Sequence, residues 1–228
     1  MLLANKYRIN ERLGAGEFGA IYKGSNIRTN EEVAIKVESL QSEVPLLKRE
    51  TKIYQYLTRG YGIPKVKWFG VDGNNYYMVL PLFNESLKER RERLGAFSLN
   101  DALLIGGEME KILHYVHKMG LVHRDVKPEN FMFGQDEKIY LIDFGLCKKR
   151  PLSSMTKRES QTIIGTPNYI SIDVHDFMEP DTKDDLESVK YIVLFLYLEQ
   201  LPWAQPNLTN AEIRERKTRI DCLEISTS

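Results

Sequence analysis

The apolar residues of this chain change their spacing near Phe83, and that change limits the possible folds more than any other feature of the sequence. Before it they alternate. Stretches 7–13, 20–24 and 32–38 place apolar and polar residues in turn, with turn formers between them at Ser25-Asn26 and Thr29-Asn30. Val33, Ile35 and Val37 share one face of the third predicted strand, and Ala34 and Lys36 share the other. A helix is expected over roughly 46–57, with Ile53 and Leu57 in register and Glu50 within it. Stretch 75–82 reads as a buried strand.

After Phe83 the spacing is helical. Ser98 suits an N-cap, with Asp101 three residues on. Ile105, Met109, Ile112, Leu113 and Val116 then form one stripe, which Gly120 ends. Gly106-Gly107 inside that helix costs about 1 kcal/mol each relative to alanine, so packing has to offset it. A second helix over 184–199 is apolar on nearly every side from Val189 onward, as a central helix would be. The mixed charges of 210–219 read as a solvated helix face rather than an import signal or a patch for acidic partners. Strands first and helices afterwards predict a bilobal α+β protein. One domain over 1–228 would have a small antiparallel β lobe (1–82) and a mainly helical large lobe (83–228).

Charge excludes one class of partner. Lysine plus arginine equal aspartate plus glutamate at 32 each, so no net charge draws the whole chain to polyanions, and direct nucleic-acid binding is not expected. Two cysteines far apart, Cys147 and Cys222, make no disulfide framework and suit a reducing compartment. The first residues form no secretion signal, and the longest apolar run, 191–198, falls far short of the ~20 residues of a membrane helix. The expectation is a soluble intracellular protein without a membrane span.

Gly14-Ala15-Gly16-Glu17-Phe18-Gly19 matches G-x-G-x-x-G. A dinucleotide site needs such glycines to lead from a strand into a helix. Here Ala20-Ile21-Tyr22-Lys23 reads as a strand, so the glycines form a flap between strands, where bare backbone can approach phosphate. Taken alone, they would suit any glycine-rich hairpin. Val33-Ala34-Ile35-Lys36 puts a lysine on a strand, and Glu50 in the next helix is placed to pair with it. His123-Arg124-Asp125-Val126-Lys127-Pro128-Glu129-Asn130 and Asp143-Phe144-Gly145 follow. Phosphoryl transfer needs a carboxylate to orient and deprotonate a hydroxyl, which suits Asp125. It needs hard oxygen ligands for Mg²⁺, which suit Asn130 and Asp143, and a cation beside the moving phosphoryl group, which suits Lys127.

These motifs, in this order, resemble the protein kinases; Lys127, two residues after the aspartate, resembles the serine/threonine class. Gly165-Thr166-Pro167-Asn168-Tyr169-Ile170-Ser171-Ile172-Asp173-Val174-His175 looks like the G-T-A-R-Y-A-S-I-N-x-H of the casein kinase 1 family, where S-I-N replaces A-P-E. Glu50-Thr51-Lys52-Ile53-Tyr54, Gly62-Ile63-Pro64, Asp184-Asp185-Leu186-Glu187-Ser188 and Leu201-Pro202-Trp203 are similar to that family too, over 7–203. The resemblance implies ATP and Mg²⁺ as cofactors and serine or threonine in an acidic context on protein substrates, in cytoplasm or nucleus. It implies that Leu13, the glycine flap, Ile21, Ala34, Lys36, Leu80, Pro81 and Phe83 hold the nucleotide. Pro81 would offer adenine only a carbonyl. It further implies that Thr166 supports Asp125 and Lys127, and that Asp185, beyond any helix-cap role, braces the backbone at His123 and Arg124.

The chain also departs from the family. Asn168 stands where arginine is common, and Gln161 near a usual basic residue, so phosphate-primed substrates are not expected to be preferred; Arg214 falls near another anion-binding lysine. Lys190 replaces a usual glycine in the central helix. The family's later helices and regulatory tail have no counterpart after Trp203, which predicts a shortened large lobe whose apolar surface a partner could cover. An ATP-binding scaffold with little transferase activity is the alternative reading.

Overall fold

A computed structural model describes residues 1–16, 19–43, 45–150, 156–160 and 162–225. In chain order the first elements are β1 (Leu2–Leu3), β2 (Tyr7–Gly16), β3 (Gly19–Asn26), β4 (Glu32–Ser39), α1 (Leu46–Tyr56), β5 (Trp68–Asp72), β6 (Asn75–Pro81) and β7 (Glu85–Ser86). Then come α2 (Leu87–Leu94), α3 (Leu99–Lys118), β8 (Leu121–Val122), a 3-10 turn (Pro128–Asn130), β9 (Phe131–Phe133) and β10 (Ile139–Leu141). The last are β11 (Lys148–Lys149), α4 (Ile172–His175), α5 (Thr182–Tyr197) and α6 (Asn210–Ile225). An antiparallel β region thus precedes a helical one. No helix among the described residues is long and apolar enough to cross a membrane.

The chain forms two compact units. The first comprises Met1–Glu85 and Met132–Gly145, the second Ser86–Phe131 and Leu146–Ser228. The division expected at 82/83 therefore differs: the β10 hairpin arm returns to the first unit. Leu141 N donates to Gly62 O at 2.8 Å, and Asn84 N donates to Phe133 O at 2.9 Å, which ties that arm in place.

The first unit is built on an antiparallel six-stranded sheet ordered β1-β2-β3-β4-β6-β5. Strand alternation sorts its faces. Val33 and Ile35 bury themselves with Leu3, Tyr7, Tyr77 and Val79. The other face follows from register: Lys36 lies opposite Ile21 and Met78, and Ala34 opposite Lys23 and Leu80. Pro45 gives α1 no side-chain cap. Instead Glu38, buried on β4, accepts from Leu46 N and Leu47 N, both at 3.0 Å. A strand carboxylate thereby satisfies orphan donors at the helix start.

The second unit packs α3 against α5. Ser98 caps α3 by accepting from Asp101 N at 3.1 Å, and Gly120 follows its end with φ +75°. The buried stripe runs Ala102, Gly106, Met109, Ile112, Leu113 and Val116, so it starts on small residues, not on the half-buried Ile105. A Cβ at Gly106 would lie 2.7 Å from Val193 Cγ2 of α5, while one at Gly107 would meet nothing within 4 Å. Close helix approach is what offsets the first glycine. Asp181 and Asp184 form a capping box at the start of α5, and Lys190 points to solvent. The expectation of a helix buried on every side fails in its last turns, where Tyr197 is 44% exposed.

The charged α2 escaped the apolar-stripe reading, although Ser86 and Glu89 spell a capping box. Its Arg91 donates to Phe195 O, Leu196 O and Leu198 O at 3.2, 3.0 and 2.7 Å, satisfying the carbonyls that end α5. The expected solvated helix over 210–219 is corrected too. On α6, Ile213 and Lys217 are buried. Lys217 Nζ donates to Pro167 O at 2.8 Å and Ile170 O at 2.7 Å, and stands 4.4 Å from the Tyr191 ring centre and 5.5 Å from that of Trp203.

Candidate active site

Each unit carries one group of the residues singled out from the sequence. In the first, Lys36 Nζ lies 2.7 Å from Glu50 Oε2 and 3.3 Å from Asp143 Oδ1. Strand β4 delivers the lysine, α1 the glutamate and the stretch after β10 the aspartate. Burial alone would lower the Lys36 pKa, but the charges of Glu50 and Asp143 outweigh it and raise it, so the ammonium is held charged. Burial raises the Glu50 carboxyl, which Lys36 opposes and Asp143 assists.

Tyr54, one helical turn after Glu50, completes this group. Asp143 N donates to Tyr54 Oη at 3.0 Å, and the Tyr54 and Phe144 rings meet edge to face, centres 4.9 Å apart. Asp143 has φ +64°, a left-handed conformation unusual outside glycine and asparagine. Its carboxylate, a quarter exposed, also accepts from Gly145 N at 3.4 Å. The i,i+4 spacing from Glu50 puts Tyr54 on the same helix face, which is the sequence signal that marks it.

Gly14, Ala15 and Gly16 pair with Ile21, Ala20 and Gly19, so the glycine stretch closes a hairpin. A dinucleotide-type turn into a helix is thereby excluded. A Cβ at Gly19 would lie 2.0 Å from Val37 O, which explains why only glycine fits. Leu13 stands exposed beside an irregularity in the β2–β3 pairing. Glu17 and Phe18, expected at the hairpin tip, and Gln161 lie outside the described residues. Ile21, Ala34 and Leu80 share the sheet face of Lys36 by register, whereas Pro81, opposite Val33, takes the other face. The Phe83 ring packs on Tyr140 with centres 5.2 Å apart, beside a cavity of about 680 Å³ that also takes in Ile63 and Pro64.

In the second unit the group gathers around Asp125. Thr166 Oγ1 donates to Asp125 Oδ1 at 2.8 Å, and Lys127 Nζ lies 2.6 Å from Oδ2. Asn130 Nδ2 donates to Asp125 O at 2.8 Å and stands 3.3 Å from Oδ2, which leaves its amide oxygen as the atom a hard cation would take. Gly165 has φ +87°, and a Cβ there would come within 2.6 Å of Arg124 O, so glycine lets Thr166 approach.

Asp185 underlies this loop. Its Oδ2 accepts from His123 N at 2.8 Å, its Oδ1 from Arg124 N at 2.9 Å, and His117 Nε2 lies 2.8 Å from Oδ2. The helix-cap role falls instead to Asp181, with Asp184 as its capping-box partner. Arg124 is left-handed, with φ +71°, and this anchored N–H holds it there. His117 went unnoticed in the sequence because its partner is far away along the chain.

Three further contacts lie in the same unit. Ser171 caps α4 and donates to Asp184 Oδ1 at 2.6 Å. Asn168 O accepts from Trp203 Nε1 at 2.9 Å. Arg214, considered above as an anion site, grips Asp176 in a two-pronged pair at 2.8 and 2.7 Å, so its guanidinium is committed to a carboxylate. Among the described residues no cluster of three or more His, Cys, Asp or Glu could hold a metal. Asp143 in the first unit and Asn130 in the second each offer a hard oxygen of the kind magnesium takes beside water and phosphate. Comparison with protein families matches residues 7–227 to one described as a protein kinase domain.

Proposed function

This chain belongs to the protein kinase domain family, and from that premise we propose that it transfers the γ-phosphate of ATP to serine or threonine hydroxyls of proteins, in the manner of casein kinase 1. The observation that carries the proposal is the carboxylate of Asp125, with one oxygen on Thr166 and the other on Lys127. Such a carboxylate is oriented by two contacts, one of them to a cation. It is suited to accept the proton of an attacking hydroxyl.

In this reading Lys36, steadied by Glu50, takes the α- and β-phosphates, while the flap from Gly14 through Ala15, Gly16, Glu17 and Phe18 to Gly19 offers backbone N–H groups. Leu13, Ile21, Ala34 and Leu80 surround the base, and the backbone at Pro81 and Phe83 meets its edge. Asn130 and Asp143 hold magnesium, which when bound neutralises phosphate charge. Lys127 balances charge that grows as the phosphoryl group moves. Lys127 and the Ser171-Ile172-Asp173 stretch, standing where most protein kinases carry A-P-E, favour the serine/threonine and casein kinase 1 assignments. Neutral Asn168 and the committed Arg214 argue against a preference for phosphate-primed substrates.

Radiolabelled ATP with casein or an acidic serine peptide tests this directly. We expect transfer by the wild type and a loss of roughly a thousandfold in Asp125→Asn, with stabilisation by Mg-ATP retained. Stabilisation by Mg-ATP without transfer by the wild type would point to a scaffold and refute the proposal.

A further inference from the structure

Lys217, on α6, is fully buried, and the reaction described above gives it no part. Its ammonium donates to Pro167 O at 2.8 Å and to Ile170 O at 2.7 Å, and stands 3.4 Å from His175 Nε2. The rings of Tyr191 and Trp203 lie beside it as cation–π partners. A lysine head group is costly to bury unless such contacts replace its water. Ile213, one turn earlier on the same helix face, packs with an apolar side chain instead. Seating the helix is therefore not what calls for a cation here. Arg214 grips Asp176, Arg216 Nη1 donates to Pro202 O at 2.9 Å, and Ile213 is buried, so α6 is fastened at three other points.

Lys217 reaches the stretch that follows Thr166, and that stretch is a tight turn. Tyr169 N and Ile170 N both donate to Thr166 O, at 2.8 and 3.1 Å. Trp203 Nε1 holds Asn168 O in the middle of the turn. Lys217 joins the carbonyls on either side of it. Proline has no N–H, so the carbonyl is the one backbone polar group by which Pro167 can be held. Its ring also keeps the preceding residue, Thr166, out of helical geometry. Fixing Pro167 O thus fixes the direction in which the chain leaves Thr166. Thr166 Oγ1 in turn donates to Asp125 Oδ1 at 2.8 Å, while Lys127 lies on Oδ2. Two consecutive residues carry the link from a buried ammonium to the carboxylate.

We propose that Lys217 is a positioning residue for phosphoryl transfer. By clipping the carbonyls of Pro167 and Ile170 together, it fixes the turn that aims the Thr166 hydroxyl at Asp125. The proposal deepens the kinase reading and rests on it for its kinetic arm.

A double-mutant cycle in the whole chain tests it, with Lys217→Met, Thr166→Val and the pair combined. We expect Lys217→Met to lower kcat on the acidic peptide roughly tenfold or more, with the KM for ATP and the stabilisation by Mg-ATP unchanged. A lysine that acts through Thr166 has nothing left to position once the hydroxyl is gone. The combined variant should therefore match Thr166→Val alone within about twofold. Lys217→Gln, which keeps an N–H donor on a shorter side chain, repeats the cycle should Lys217→Met not fold. Wild-type kcat in the Lys217 variant would overturn the proposal, as would losses that multiply in the combined variant. If the wild type transfers nothing, the kinase reading fails separately, and amide hydrogen exchange decides. The amides of Tyr169 and Ile170 should then exchange roughly tenfold faster in the Lys217 variant, with α3 exchanging at the wild-type rate. Equal exchange at Tyr169 and Ile170, or faster exchange throughout the unit, refutes the proposal.

Discussion

Among the described residues of the candidate site, Arg124 and Asp143 are the two other than glycine held in the left-handed region, and each has its N–H fixed by a side chain from a helix distant in sequence. Strain of about 1–3 kcal/mol per residue is typical of such positions, so the anchors have to be well seated. Asp185→Asn keeps the shape but loses an acceptor for two backbone donors. We expect it to cost about 3 kcal/mol in urea denaturation and to reduce phosphoryl transfer, whereas the exposed Asp101→Asn should do little. A second residue-scale effect concerns pH. Burial, then the nearby charge of Lys217, lowers the His175 pKa from its usual 6.5 to about 4. Unfolding frees the imidazole to take a proton between those values, so stability falls as pH drops from about 6.5 toward 4 and is flat above. Melting temperatures across that window should show the decline, and His175→Gln should flatten it. Asp176 and Asp181, whose carboxyls are held low by Arg214 and, against burial, by Arg150, lose their support only below about pH 4.

Among the elements, what the sequence revealed was set by how local each cause is. The strands of the first unit and the cap of α3 at Ser98 were visible because alternation and capping operate over a few residues. The motifs around Asp125 and Asp143 were equally plain. What remained hidden depends on distant partners: Glu38 of β4 starting α1, Arg91 of α2 finishing α5, and Lys217 of α6 drawn in by carbonyls near Thr166. A lysine in a run of mixed charge gives no local sign that it will be buried. The paired glycines of α3 separate propensity from packing. Gly107→Ala should stabilise the chain by about 1 kcal/mol, because open space receives the methyl group. Gly106→Ala should gain nothing or lose stability, since its methyl would strike Val193. Thermal melts of the two variants side by side make the comparison.

At the scale of the whole molecule, neither compact unit is a continuous piece of chain. The first is opened by Met1–Glu85 and finished only by Met132–Gly145, after Ser86–Phe131 has gone to the other. Lys36 and Glu50 are made early, yet Asp143 belongs to the same trio. A protein that emerges from the ribosome N-terminus first must therefore leave its first unit incomplete, though all strands of the six-stranded sheet are made, while the intervening helices are being synthesised. Nascent chains stalled before residue 132 should be readily cut by protease within the first 85 residues. Chains long enough to expose Gly145 outside the exit tunnel should resist.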